Sequence, residues 1–382
     1  MTLSEEVDSC LFPTALGPCG LAWTEHGMCA VQLPESTEAL TARRLRQRCG
    51  VAPGDRPPTT GAVAQVVRRL QRHLEGGRDP LRDVPLDLRC TEFVRSVYSA
   101  ARGVGPGRTT SYGELAALVG RPGAARAVGQ AMAGNPLPLL VPCHRVLAAS
   151  GDLGGFSAHG AAGTKLRLLT VEGADLGPIA CAGVRRLARC DTRLARVIRR
   201  VGEYRLSWNQ RGDHFTALAE AIVHQQVSMK AGAAIFGRVR DAVGAGRALD
   251  PRRVLATPID ALRAAGLSRQ KASYLRDLAD RSASGALPLE RLQRLDDEQV
   301  VRALVQVKGI GRWSAEMFLM FRLGRLDVLP VDDLGLRKGA QRVYGLRELP
   351  DRRQLHRLAA RWIPFRSIAT WYLWRSLESG GI

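Results

Sequence analysis

Two short stretches of this sequence bring reactive side chains together. The first is Pro142-Cys143-His144-Arg145, preceded by the apolar, strand-like run PLPLLV. A thiolate is the nucleophilic form of cysteine, and a neighbouring imidazole can take the thiol proton. Adjacent side chains need not meet, however. Taken alone, the pair reads more readily as a structural cysteine beside a solvent-facing histidine. The second stretch is 304–333, LVQVKGIGRWSAEMFLMFRLGRLDVLPVDD. It holds a turn, Val307-Lys308-Gly309-Ile310-Gly311, then an indole at Trp313 and a carboxylate pair at Asp332 and Asp333. The turn's glycines permit positive φ and close backbone approach, so exposed amides can bind a phosphate. A carboxylate can stabilise developing positive charge and position water.

The chain around these stretches has 382 residues, enough for two or three domains. At 45% hydrophobic and 24% charged it is globular, not disordered. Fifty-six Lys and Arg against 36 Asp and Glu leave a net charge of +20, which points to a polyanion partner, nucleic acid first. The excess is uneven: residues 1–180 hold 19 bases against 16 acids, residues 181–382 hold 37 against 20. The helical second half is thus expected to supply most of the electrostatic hold. No apolar run nears the roughly 20 residues of a membrane span, and MTLSEEVDSC has acids and no base, so no membrane partner and a cytoplasmic, DNA-associated location are expected.

None of the eight cysteines lies after Cys190 and none forms a C-x-x-C pair, which removes the zinc-ribbon and iron–sulfur readings. A set of Cys19, His26, Cys29 and His73 matches no established zinc spacing. No metal and no required cofactor are expected.

The elements that must position the reactive residues are legible in outline. Short strands are predicted within 11–33, helices over 37–48 and 61–75, and helices dominate from 91. Thr91 is an N-cap candidate, Ser111 with Glu114 and Thr257 with Asp260 have capping-box spacing, and Gly120 is a stop. SYGELAALVG and GAARAVGQAMAGN read as a helix-turn-helix, 134–160 as a Gly/Pro-rich loop, and KLRLLTVEG as a short helix. Residues 173–190 show no periodic core face and read as a linker. Everything beyond reads as helix.

The order SY-x-x-LA, AARAVG, GNP-x-P-x-x-x-PCHRV, a Gly-rich loop and Glu172 resembles the O6-alkylguanine-DNA alkyltransferase family from about 91 to 173. The resemblance implies a winged-helix-like catalytic domain that flips a nucleotide out of duplex DNA. It makes Cys143 the alkyl acceptor, with His144, a water and Glu172 as the relay that removes the thiol proton. Tyr112 would assist departure of guanine. Arg126 would fill the gap left in the stack, Asn135 would brace the turn, and Val146 and Ser157 would face the flipped base. The loop GGFSAHGAAG departs from the family by Ala158 and two extra residues. Thr24 stands where a zinc ligand of that family is expected.

The hairpin and aspartate pair, with AIVHQQVS at 221–228 and RWIPFRSIATWYLW at 361–374, resemble the helix–hairpin–helix DNA glycosylase superfamily over about 191–382. Strand-cutting members carry a Lys where this chain has Trp313. The resemblance is therefore to the monofunctional 3-methyladenine DNA glycosylase II-like branch. An indole attracts a purine made cationic by N-alkylation, by roughly 0.5–2 kcal/mol. Trp313 and Trp374 would form aromatic walls, although core packing is an even alternative for Trp374. Asp333 is favoured over Asp332 as the catalyst, with one of the pair capping the next helix. Gln226 would wedge into the stack, and Lys308, Gly309 and Gly311 would meet the backbone. Carbonyls around Val305, Val307 and Ile310 would hold a structural monovalent cation.

The expected architecture is therefore multidomain: an α/β N-terminal subdomain (1–88) plus a winged-helix-like alkyltransferase domain (89–176), a linker (177–190), and an all-α helix–hairpin–helix glycosylase domain (191–382). The expected function is bifunctional repair of alkylated double-stranded DNA by a monomer. Two rivals remain at this point. One is an alkylation-sensing regulatory protein; the other is an active transferase with a non-catalytic, DNA-docking helical half.

Overall fold

The structure, a computed structural model, describes residues 6–54, 56–156, 158, 160–205, 213–244, 246 and 248–378. The chain divides into two compact units, Met1–Arg186 and Leu187–Ile382.

The first unit opens with an antiparallel meander of Asp8–Phe12, Cys19–Thr24 and Gly27–Gln32, in which Cys10 faces Leu21 and Leu21 faces Val31. The first strand lies earlier than the predicted LFPTAL. Pro13 has no amide for the ladder, and Thr14 and Gly17 exchange backbone hydrogen bonds (3.1 and 3.0 Å) in a turn. Helix Glu38–Cys49, capped by Thr37, packs on the second and third strands. Helix Gly61–Arg72 buries Val66, Val67 and Leu70, as their spacing predicts. It loosens into a π-type turn, His73–Gly77, that carries His73 into the interior.

Helices Glu92–Arg102, Tyr112–Leu118 and Ala125–Ala133 follow, the first capped by Thr91. The Ser111–Glu114 capping box forms in both directions, at 2.7 and 3.1 Å. Thr110–Ser111 then pairs in parallel with Val146–Leu147, which ties the start of the second of these helices to the reactive turn. A single hydrophobic cluster runs from Phe12 and Leu21 through Leu70 and Val97 to Leu115, Val128 and Leu168. The expected boundary at 88/89 thus falls inside a continuous core.

Residues 177–190, expected as a linker, form the helix Gly177–Cys190, with Ile179, Ala180, Ala182 and Leu187 buried. That apolar stripe is too sparse to stand out in the sequence. Among the described residues the second unit is helical throughout. Phe215, Ile222, Leu275, Val300, Leu304, Phe318 and Met320 lie in its core. Thr257 does not cap the next helix, as its spacing suggested. Its hydroxyl donates back to Arg253 O (2.8 Å), and Pro258 takes the cap position without a side-chain hydrogen bond.

One carboxylate ties distant parts of this unit together. Asp191 caps helix Thr192–Val201 through the amides of Arg193 and Leu194, and accepts from Tyr344 Oη (2.6 Å) and Trp362 Nε1 (3.1 Å). Burial pushes its carboxyl upward, but these donors outweigh that and hold it low. Asp191→Ala removes a cap and strands a buried indole N–H. It is expected to cost about 3 kcal/mol of unfolding free energy, with Asp191→Asn losing less, as read by urea denaturation of the full chain.

Candidate active sites

Cys143 opens a single 3₁₀ turn, Cys143–Arg145. Asn135 shapes the approach to it: Nδ2 donates to Val141 O (2.8 Å) and Oδ1 accepts from Leu137 N (2.9 Å). The thiol is buried, and that burial raises its pKa against the opposing pull of Asn135 and Lys165. A thiol placed this way needs a base to reach its nucleophilic form.

Glu172 gathers the side chains nearest the turn. Its Oε1 accepts from Nε2 of His144 (2.8 Å) and from Nε2 of His73 (2.9 Å). Arg145 grips it as a fork, Nη2 to Oε1 at 2.7 Å and Nε to Oε2 at 2.9 Å, and sends Nη1 to Val104 O at 2.6 Å. All four side chains are buried. Burial favours the neutral carboxyl, but His144, His73 and Arg145 prevail and hold it far below the usual carboxylate range. An ionised carboxylate only accepts, so each imidazole carries a hydrogen on Nε2. Neither Nδ1 has a partner among the described residues. Burial also holds His144 below its usual pKa, so it rests neutral, as a base should.

Tyr112 starts its helix half-buried, and burial followed by the nearby Cys143 raises its pKa. Gly154 (φ 67°) lets the Gly-rich loop lie close, since a Cβ there would sit 3.3 Å from Tyr112 Oη. Lys165 is fully buried, donates to Val146 O (2.6 Å) and stands 5.9 Å from the Tyr112 ring centroid. Burial pulls its pKa down to about 8. Arg126 is exposed near the start of helix Ala125–Ala133. Val146 is fully buried and its carbonyl is taken by Lys165, so it presents no surface to a base. Ser157 lies outside the described residues.

A cavity of about 780 Å³ opens elsewhere in this unit, lined in part by Thr24, Cys29, Cys49 and Asp87. Its residues do not fit zinc. The Thr24 hydroxyl is engaged by Asp87 Oδ2 (2.9 Å), and burial pushes the Cys29 thiol up to about 11. Among the described residues no group of three or more His, Cys, Asp or Glu is placed to hold a metal. No helix there is long and apolar enough to cross a membrane.

In the second unit Asp333 is the focus. It caps helix Leu334–Tyr344 by accepting from Leu336 N (2.5 Å). Its Oδ1 also accepts from Trp374 Nε1 (2.7 Å), and its Oδ2 accepts from Trp313 Nε1 (2.8 Å). The two indoles expected as walls thus share one carboxylate. Trp374 is half-buried and stacks on Phe321, with centroids 6.0 Å apart and planes 7° apart, whereas Trp313 is 47% exposed. Asp332 is paired with Arg352 (2.6 Å) on a more exposed face. Cap and buried carboxylate therefore coincide in Asp333, where the sequence reading divided those tasks between the two aspartates.

The hairpin places Lys308, Gly309 and Gly311 at the surface. The Lys308 amide is already bound to Asp277 Oδ2 (2.9 Å), which removes it from the donors open to a phosphate. Gln226 is exposed in a tight bend with φ 55°, a left-handed conformation unusual for a residue with a side chain.

The chain has relatives among known proteins. A family profile described as "6-O-methylguanine DNA methyltransferase, DNA binding domain" matches residues 92–174, and "HhH-GPD superfamily base excision DNA repair protein" matches 219–365. The methylated-DNA–protein-cysteine methyltransferase of Mycobacterium leprae is 45% identical over 115 residues, 30% of this chain and 68% of that protein. DNA-3-methyladenine glycosylase 1 of Schizosaccharomyces pombe is 34% identical over 192 residues, 50% of this chain and 84% of that protein. A solved DNA-3-methyladenine glycosidase from Bacillus halodurans is 38% identical, with a TM-score of 0.47, over 52% of this chain and 89% of that one. The chain belongs to both families, methyltransferase in its first part and helix–hairpin–helix glycosylase in its second.

Sequence reasoning named His73 only in a zinc set and Arg145 only beside His144, and missed Lys165 altogether. The only signal was a charged residue on an otherwise apolar helix face or turn. Glu172→Gln leaves the Arg145 charge buried without its partner, and is expected to cost about 3–5 kcal/mol near neutral pH. Because the folded carboxyl is depressed, this contribution is complete above the ordinary value of 4.5 and shrinks as pH falls below it. Urea titrations of both proteins from neutral to acid pH check the size and the trend.

Proposed function

We propose that the chain repairs alkylated double-stranded DNA by two separate reactions. In the first, winged-helix-like domain, a guanine alkylated at O6 is flipped toward Cys143, and Arg126 occupies the gap in the stack. His144, through a water, takes the thiol proton on Nδ1, and Glu172 and Arg145 steady the imidazolium that results. The thiolate attacks the saturated alkyl carbon in line, the carbon–O6 bond breaks, and guanine departs with a proton from Tyr112. An S–C thioether forms that the protein does not hydrolyse, so each molecule acts once. The observation that carries this reading is the cluster His144–Glu172–Arg145 beside a buried thiol.

In the helical domain, Gln226 wedges the duplex and an N-alkylated purine such as 3-methyladenine enters beside Trp313 and Trp374. The base leaves with the glycosidic electron pair. Asp333 stabilises the positive charge left at the sugar and receives a proton from the attacking water. With Trp313 where a Schiff-base lysine would stand, the product is an uncut abasic site. The carrying observation is that Asp333 is held by two indole N–H groups and a helix N-terminus. A structural monovalent cation would rest on carbonyls at Val305, Val307 and Ile310; Val307 O accepts from Ile310 N (3.1 Å) and keeps a second lone pair for it. The reading takes the protein as a monomer in the cytoplasm.

Incubation with an O6-methylguanine duplex is expected to add one methyl group, located on Cys143 by peptide mass; an unchanged mass contradicts the transferase reading. On 3-methyladenine or 7-methylguanine DNA the protein is expected to release free base without nicking. Asp333→Asn should lower the single-turnover rate by about a hundredfold or more, while Asp332→Asn leaves most of it. Equal rates for Asp333→Asn and the unaltered protein contradict the assignment.

A further inference from the structure

Helix Arg269–Ala283 buries Ala272, Leu275, Leu278 and Ala279, and its flank carries Lys271, Tyr274 and Asp277 at helical spacing. Each of these touches an element of the DNA-facing apparatus. Lys271 Nζ donates to Val223 O (2.7 Å) and Gln225 O (2.6 Å), the carbonyls at the end of helix His214–His224, immediately before Gln226. Tyr274 lies under the hairpin. Gly309 has φ 81°, and a Cβ there would come within 2.1 Å of Tyr274 Cδ2, so only glycine lets the backbone rest on that ring. Asp277 accepts the Lys308 amide (2.9 Å) and is itself paired with Arg281 (3.0 Å). The ring of contacts is closed by Gln225, whose Nε2 donates to Gly309 O at 2.8 Å.

We infer that Gln225 and Lys271 are positioning residues that lock the Gln226 bend to the phosphate-gripping hairpin, so that wedge and hairpin meet DNA as one rigid unit. This rests on the proposed glycosylase reading. The physical argument has two parts. Gln226 is held at positive φ, a strained conformation for a residue with a Cβ that persists only where its surroundings over-determine it. Those surroundings are the two donors just described: one ammonium on the carbonyls before the bend, and one amide reaching across to the hairpin. Lys271 also meets the carbonyl end of helix His214–His224, where a cation is favoured. Its burial lowers its pKa but leaves it a donor. The hairpin in turn cannot shift independently, because Tyr274 and Asp277 seat it on the same helix. A wedge fixed to the grip enters the stack at a depth set by the backbone contact. A loosened wedge would leave the grip intact and spoil only the insertion.

The test uses the full chain and a duplex carrying 7-methylguanine beside 2-aminopurine. Three readouts are taken: affinity for the undamaged duplex, the 2-aminopurine fluorescence rise that reports unstacking, and the single-turnover excision rate. Gln225→Ala and Lys271→Met should keep undamaged-duplex affinity within about twofold and lose about tenfold to a hundredfold in unstacking and excision, since small misplacements of a positioned group are costly. Lys271→Arg, which can still donate to both carbonyls, should recover most of the loss. Parallel loss of affinity, unstacking and thermal midpoint would make the residues merely structural and overturn the inference. So would unchanged unstacking in both variants. An unaltered chain that binds undamaged DNA but neither unstacks nor excises would overturn the glycosylase reading, and the inference with it.

Discussion

A carboxylate taken out of water must be met by donors, and both halves of this chain are arranged around that requirement. Glu172 is surrounded by two imidazoles and a guanidinium fork. Asp333 is met by two indoles and a backbone amide. Asp191 is met by a phenol, an indole and the start of a helix. Remote segments converge on each: Glu172 draws in the π-type turn that carries His73 and the reactive turn that carries His144 and Arg145. Asp333 draws in the helix after the hairpin and the last helix of the chain. Loss of one such carboxylate therefore removes a meeting point of elements and not merely a contact.

The same donors set protonation. Because Glu172 stays ionised, it fixes a hydrogen on Nε2 of His144, and in the proposed reaction leaves the other nitrogen as the base for a thiol that burial keeps protonated. Because two indoles and a helix N-terminus face Asp333, its charge is oriented before any substrate arrives, which is the arrangement electrostatic stabilisation requires. In the proposed reactions one half uses its carboxylate at second hand, through an imidazole, and the other uses its carboxylate directly. The two lesions concerned arise from the same alkylating chemistry, which makes their joining in one chain coherent.

Much of this was legible in the sequence. The Ser111–Glu114 cap, the amphipathic helix from Gly61 and the Gly309–Gly311 hairpin rest on local spacing, and local spacing survives folding; Cys143-His144 stood out only through a family resemblance, and His144 is buried where the bare pair suggested a solvent-facing histidine. What was not legible depends on contacts across long separations. His73 reaches Glu172 across 99 positions, and nothing near His73 announces it. Trp374 meets Asp333 across 41 positions, so the choice between core aromatic and site aromatic could not be made from its neighbours. The helix Gly177–Cys190 escaped because its buried positions are few, and Thr257 misled because a hydroxyl can bond backward as easily as forward.

The protonation of His144 offers the most direct test of this account. In ¹⁵N NMR of the full chain at neutral pH, His144 should appear neutral, with hydrogen on Nε2 and a bare Nδ1. Replacing Glu172 with Gln should release that fixed tautomer. A His144 that is an imidazolium, or that carries its hydrogen on Nδ1 with Glu172 in place, would contradict the claim that the buried carboxylate prepares the base.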